Sequence, residues 1–134
     1  MALQYSETLR NAQLDQIETT VGTSPKLRIS SGSPPADCAT ADSGTLLAEI
    51  TLPSDWMAAA ATGSKAKSGT WSVAASAAGT AGHFRIKDSS GTTVHAQGTV
   101  TATGGGGDMT VDNTSIASGQ TVTVNTFTLS AGNA

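Results

Sequence analysis

The stretch His83 to Val100, HFRIKDSSGTTVHAQGTV, reads as two alternating apolar and polar runs around a short glycine-bearing link. Alternation with period two sends successive side chains to opposite faces of a strand, so the segment predicts a β-hairpin. A loop of Ser89, Ser90 and Gly91 sets Ile86 opposite Val94 and Phe84 opposite Ala96 on an inner face. The outer face then carries His83 across from Gln97, Arg85 across from His95 and Lys87 across from Thr93. A slip by one residue would exchange the faces and bury Arg85 and Lys87, which argues for this parity. Gly91 suits the left-handed position that closes such a loop, because it has no Cβ.

On the N-terminal side, residues 6 to 21 predict the one clear helix. Ser6 is a good N-cap, Glu7 favours the first turn, and Gly22 is a natural stop. Its apolar stripe is narrow: Leu14, Ile17 and Val21, with Arg10 one turn earlier on the same line. Such a helix straps a sheet or docks on a partner. Lys26 to Ile29 alternates as a short strand with Leu27 and Ile29 inward, and SSGSPP breaks it. After a long loop over residues 34 to 44, GTLLAEITLP predicts a strand with Leu46, Ala48, Ile50 and Leu52 on one side and Leu47, Glu49 and Thr51 on the other. Trp56 and Met57 begin an extended segment, Lys65 to Val73 alternates around Trp71, and Ala74 to Gly82 reads as a loop or close-packed edge.

Beyond Val100, Gly104 to Gly107 make a corner between strands. A phosphate-binding loop would need a Lys-Ser/Thr and a following helix, and Asp108 to Val111 starts a strand instead. In the last strand Val122 and Val124 share one parity while Phe127 and Leu129 share the other, so a bulge near Asn125-Thr126 is expected. About eight strands and one helix indicate an all-β chain: a two-sheet β-sandwich of jelly-roll or Greek-key connectivity with one N-terminal α-helix. A single domain over 1–134 is expected, with 1–24 as its arm and helix.

Composition narrows the function classes. Only 13% of the 134 residues are charged, the net charge is −3, and the seven basic residues are scattered. That is no nucleic-acid footprint, which needs a concentrated basic face. The period-two pairs Lys65/Lys67 and Arg85/Lys87 read as solvated strand faces. One cysteine, Cys38, excludes an internal disulfide. No run approaches the roughly 18–20 apolar residues of a membrane span, so a protein made in the cytoplasm and staying soluble is expected. The sparse aromatics make Trp56 and Trp71 core residues in expectation, not sugar-stacking platforms.

Residues for catalysis are scarce. His83 and His95 sit out of direct opposition on the expected outer face, without a third ligand at metal spacing. Asp108, Asp112 and Asn113 lack the spaced ligand series of a calcium loop and read as turn residues. Neither an enzyme nor a cofactor is expected.

The stretches ALQYSETLRNAQLDQIETTVGTSPKLRISSGSPP, GTLLAEITLPSDWM and TGGGGDMTVDNTSIASGQTVTV resemble a family of head cement or decoration proteins of tailed bacteriophages, among them short-tailed phages infecting Bordetella. The resemblance implies a jelly roll, made in the host cytoplasm, that binds the outer surface of the assembled capsid in the virion. It would bridge neighbouring major-capsid subunits, stabilise the expanded head and self-associate as a dimer or trimer. Contact surfaces expected on this reading are the arm and helix, with Tyr5, Arg10, Leu14 and Ile17, and the hairpin's polar face, with Arg85 and Lys87. The competing expectation is a receptor- or glycan-binding module of a tail or fibre, which requires exposed tryptophans.

Overall fold

In the computed structural model, residues 3–132 are described. Ser6 has extended backbone, and its Oγ accepts the Leu9 N–H at 3.2 Å, which satisfies one first-turn donor of helix α1 (Glu7–Val21). The Gly22 N–H donates to the Glu18 carbonyl at 2.9 Å and ends the helix. Of the helical residues, Leu14 and Val21 are buried, so α1 straps the sheet instead of filling its core.

Nine strands follow: β1 (Lys26–Ser31), β2 (Leu46–Thr51), β3 (Ser64–Ala66), β4 (Ser72–Ala74), β5 (Gly79–Lys87), β6 (Val94–Ala102), β7 (Met109–Val111), β8 (Ser115–Ile116) and β9 (Thr121–Ser130). Their hydrogen-bonded order is β2-β1-β5-β6-β7-β9-β3, with β4 joined to β9 and β8 to β5. Trp56 and Met57 form no strand of their own; Met57 makes only an isolated bridge with Lys67. The segment before His83, read as a loop or close-packed edge, supplies the start of β5, from Gly79.

Extra residues in the ladders account for the departures from simple alternation. Between β1 and β2, Ile29 faces Ala48 while Ser30 faces Leu46, so Leu47 is supernumerary. It turns inward and is fully buried, although plain alternation put it on the polar side. Between β7 and β9, Thr110 faces Thr126 and Val111 faces Val124. Asn125 is the extra residue, and the bulge expected from the change of parity brings Val122, Val124 and Phe127 to one buried face.

The β5–β6 hairpin keeps the expected parity at Phe84 and Ile86 but not the expected register. Phe84 pairs with Gly98, Ile86 with Ala96, Arg85 with Gln97 and His83 with Thr99, and a bulge lets Lys87 pair with Val94. The cause is a longer link. Asp88 Oδ1 accepts the Thr92 N–H at 2.9 Å and the Ser90 hydroxyl at 2.7 Å, and the Asp88 N–H bonds the Thr93 carbonyl. The turn therefore closes between Asp88 and Thr93. Gly91 does have the left-handed φ expected of it, +73°.

β7 lies parallel to β6, with Val100 beside Met109, after only the Gly-rich corner between Ala102 and Met109. Parallel neighbours ordinarily need a longer crossover. Here the return is short, because β7 is three residues long and side chains staple the corner. Asp108 Oδ2 accepts the Thr99 N–H at 2.9 Å, and Thr101 Oγ1 accepts the Gly107 N–H at 3.0 Å.

A flat sheet would hold β5 and β9, three ladder steps apart, about 14 Å from each other. Yet the Phe84 and Phe127 rings meet edge-on with centroids 5.5 Å apart. The protein is accordingly mostly β with one helix, its sheet curled into a half-barrel around the core. Trp71 joins Phe127 at 5.8 Å and Trp56 at 6.1 Å, so the aromatic residues form one line through that core. Both tryptophans are buried as expected, and each indole N–H is satisfied, by the Gly22 and Ser68 carbonyls.

Candidate functional site: the arm and helix surface and the covered cationic face

Alternation gives strand β5 a row of His83, Arg85 and Lys87 on its convex side. These side chains were expected to face solvent, and the structure overturns that: they are 1%, 3% and 6% exposed. The cover is the segment between β1 and β2, which folds back over the sheet. Asp42 on this segment receives Arg85 Nη1 at 2.7 Å, Lys87 Nζ at 2.6 Å and Arg28 Nη1 at 2.9 Å. Arg85 is further held by the Asp37 and Thr40 carbonyls and by Gln97 Oε1. Hydrogen bonds from Lys87 and then Arg85 hold the Asp42 carboxyl down at about 2, against the partial burial that would raise it. Arg85 and Lys87 therefore clamp the cover down in this fold and are almost wholly buried.

His83 is held in the same way. Its Nδ1 lies 3.0 Å from the Gly32 carbonyl, which can only accept, so Nδ1 carries the proton. Nε2 has no hydrogen-bond partner, and His83 lines a cavity of about 160 Å³ together with Arg28, Asp42 and Arg85. His95 lies elsewhere, beside Gln16, Ile17 and Thr20 of α1. The two histidines are thus apart, His83 buried under the cover and His95 partly exposed beside the helix. Among the described residues no three His, Cys, Asp or Glu side chains gather to hold a metal.

A third cation expected on a solvated face is also internal. Lys65 on β3 is 2% exposed and pairs with Asp15 at 2.7 Å and Glu18 at 2.8 Å. Burial alone would pull its pKa down, but the two carboxylates from α1 outweigh it and raise the value. This pair and the Arg10 Nη1 bond to the Ala131 carbonyl at 3.2 Å fasten the helix to the sheet. Glu7 Oε1 accepts the Thr62 N–H and Asn11 Oδ1 the Gly63 N–H, which fastens its first turns as well.

The expected contact residues are thereby separated. Leu14 is 2% exposed and packs inward. Arg10 is half-buried and engaged with the C-terminal end of β9. Tyr5 and Ile17 are exposed, at 41% and 39%. Sequence reasoning missed two more exposed apolar side chains on the same arm and helix, Leu3 at 72% and Leu9 at 45%. Leu9 was findable as an apolar residue of α1 that lies well off the line of Leu14 and Val21. These four are the exposed large hydrophobic side chains among the described residues, and all belong to the arm and α1. Asp42 carried no such local signal, because its partners are 14 to 45 positions away.

No helix among the described residues is long and apolar enough to cross a membrane. Comparisons with protein-family models, curated proteins and solved structures return no match to this chain.

Proposed function

We propose that this is a non-catalytic structural protein of a tailed-phage virion. It sits on the outside of the assembled capsid, bridges neighbouring major-capsid subunits and stabilises the expanded head. On this reading the curled sheet is a two-layer jelly roll, supported by the rings of β5 and β9 meeting across its interior. The observation that carries the proposal is the gathering of Leu3, Tyr5, Leu9 and Ile17 on the arm and helix, while the cations of the hairpin are consumed internally. Exposed apolar side chains that form one contiguous patch mark a docking surface, and we take these four as one. A protein that binds the expanded lattice more tightly than its precursor stabilises the expanded state by linkage.

The glycan-binding alternative is less well supported, since its tryptophan platforms, Trp56 and Trp71, are both buried. The proposal is tested by mixing purified protein with decoration-free expanded heads and with unexpanded shells. Co-sedimentation with the expanded heads is expected.

A further inference from the structure

No residue from 32 to 45 is buried, so the cover over the cationic face of β5 adds nothing to the core. Polar contacts hold it instead. The Gly32 carbonyl meets His83 Nδ1, the Pro35 carbonyl takes Gln97 Nε2 at 2.7 Å, the Asp37 and Thr40 carbonyls take Arg85, and Asp42 takes three cations. At its base the Ser31 N–H donates to the Thr45 carbonyl at 3.0 Å. Just inside that base, Gly32 and Gly44 have left-handed φ of +82° and +71°. Such positions at the ends of a loop can absorb the rotation of a hinge.

His83, beneath the cover, is 1% exposed, with Nδ1–H spent on the Gly32 carbonyl and Nε2 without a hydrogen-bond partner. The cavity that it lines has Asp42 and Gly44 in its wall, so histidine, latch and hinge meet in one place. A second proton on the ring can go only to Nε2, where it makes a buried cationic donor with no acceptor. The carboxylates around it are already engaged. Asp42 Oδ1 takes Arg85, and its Oδ2 takes Lys87 and Arg28. Glu49 of β2 lies 3.0 Å from Arg28 Nε, and Asp37 Oδ1 accepts the Ala39 and Thr40 N–H groups within the cover. On β6, Thr99 stands opposite His83, and its N–H and hydroxyl occupy Asp108 Oδ2. A proton on Nε2 therefore adds a fourth cation to Arg28, Arg85 and Lys87 without adding an anion.

We propose that proton uptake at His83 Nε2 releases the cover, which swings about Gly32 and Gly44 and opens the row of His83, Arg85 and Lys87 to water. The extra proton is solvated only when the cover is off. By linkage the cover is shut at neutral pH and opens as the pH falls through the imidazole range, between about pH 8 and 5. Asp42 and Asp37 are both held below the ordinary carboxylate value and stay ionised in that range, which leaves the histidine as the trigger. The half-barrel keeps its core throughout, because the cover supplies none of it. This device belongs to the chain alone and does not depend on capsid binding.

Cys38 reports the opening, since it is half-buried on the cover and lines a cavity with Arg85 and Lys87. Its rate of labelling by a disulfide reagent that reacts in acid is divided by the rate for the urea-unfolded chain at the same pH, which removes the chemistry's own pH dependence. Between about pH 7.5 and 5.5 this ratio should rise at least about fivefold, with the midpoint of the His83 ring signals in NMR spectra and with constant far-ultraviolet circular dichroism. His83→Asn keeps a donor for the Gly32 carbonyl, has no place for a second proton and retains His95 as an internal control; its ratio should stay flat. Should that variant fail to fold, the coincidence of the two wild-type midpoints decides. A ring that takes up its proton while the Cys38 ratio stays flat would overturn the proposal, and a ratio that falls would show that the imidazolium tightens the cover. A ring that stays unprotonated down to about pH 5, or an equal rise in His83→Asn, would overturn it as well.

Discussion

The Arg85 guanidinium meets the Asp42 carboxylate at 2.7 Å across 43 positions of sequence, and with Lys87 it converts a strand face into an interior. In the folded protein Asp42 is held at about 2, below the ordinary carboxylate value near 3.9. A depressed folded pKa contributes stability that is complete above the unfolded value and is lost as pH falls through the folded one. Stability should therefore drop between about pH 4 and pH 2. Asp42→Asn should flatten part of that slope while lowering stability at pH 7. Because the Asp42 side chain is 43% exposed, the loss is reduced by solvent screening to about 1–2 kcal/mol. Urea unfolding from pH 2 to 7 measures it, and an unchanged slope in the variant would show that the clamp contributes nothing.

The Lys65 pairings predict an asymmetry. Asp15→Asn/Glu18→Gln leaves a buried ammonium without a carboxylate, which should cost about 3 kcal/mol or more. Lys65→Met removes the charge and keeps the bulk, leaving Asp15 53% exposed to water, and should cost far less. Chemical denaturation compares the two, and equal losses would contradict the picture of α1 fastened through a buried cation.

Phe127 ties β9 across the curled sheet to β5 through Phe84, and to Trp71. Phe127→Leu keeps most of the volume but loses the ring contacts and should cost about 1–2 kcal/mol, against about 3–5 for Phe127→Ala. Near-ultraviolet circular dichroism should change with it, since Trp71 loses its neighbour. A Phe127→Ala protein as stable as wild type would mean that the curl is held elsewhere.

Gly98 stands where a Cβ would approach the Phe84 ring to 2.8 Å and Asp108 Oδ2 to 2.7 Å. Gly98→Ala should accordingly disturb both the aromatic line and the corner staple, costing about 1–3 kcal/mol by overpacking. A thermal melt within a degree or two of wild type would argue against it.

Much of this fold was legible from local pattern. The helix and its caps followed from Ser6, Glu7 and Gly22, and the parity change between Val124 and Phe127 correctly announced the bulge at Asn125. What local pattern could not supply was distant cover. Arg85 and Lys87 read as solvent-facing because nothing near them shows that Asp42 returns over the strand. Leu47 went inward for a similar reason, through a bulge on β2 that its own alternation does not reveal. The hairpin register moved because the Asp88 carboxylate organises a longer turn than Ser89-Ser90-Gly91 suggests. At the candidate site, Tyr5 and Ile17 are exposed, whereas Leu14 and Arg10, from the stripe on α1, are claimed by the sheet.

The most direct test of capsid cementing is sedimentation of the purified protein with decoration-free expanded heads, with Leu9→Asp/Ile17→Asp alongside wild type. Wild type should pellet with expanded heads and remain in the supernatant with unexpanded shells. The variant, folded by circular dichroism, should lose at least about tenfold in apparent affinity. Wild-type protein that stays in the supernatant with expanded heads would contradict the proposed function.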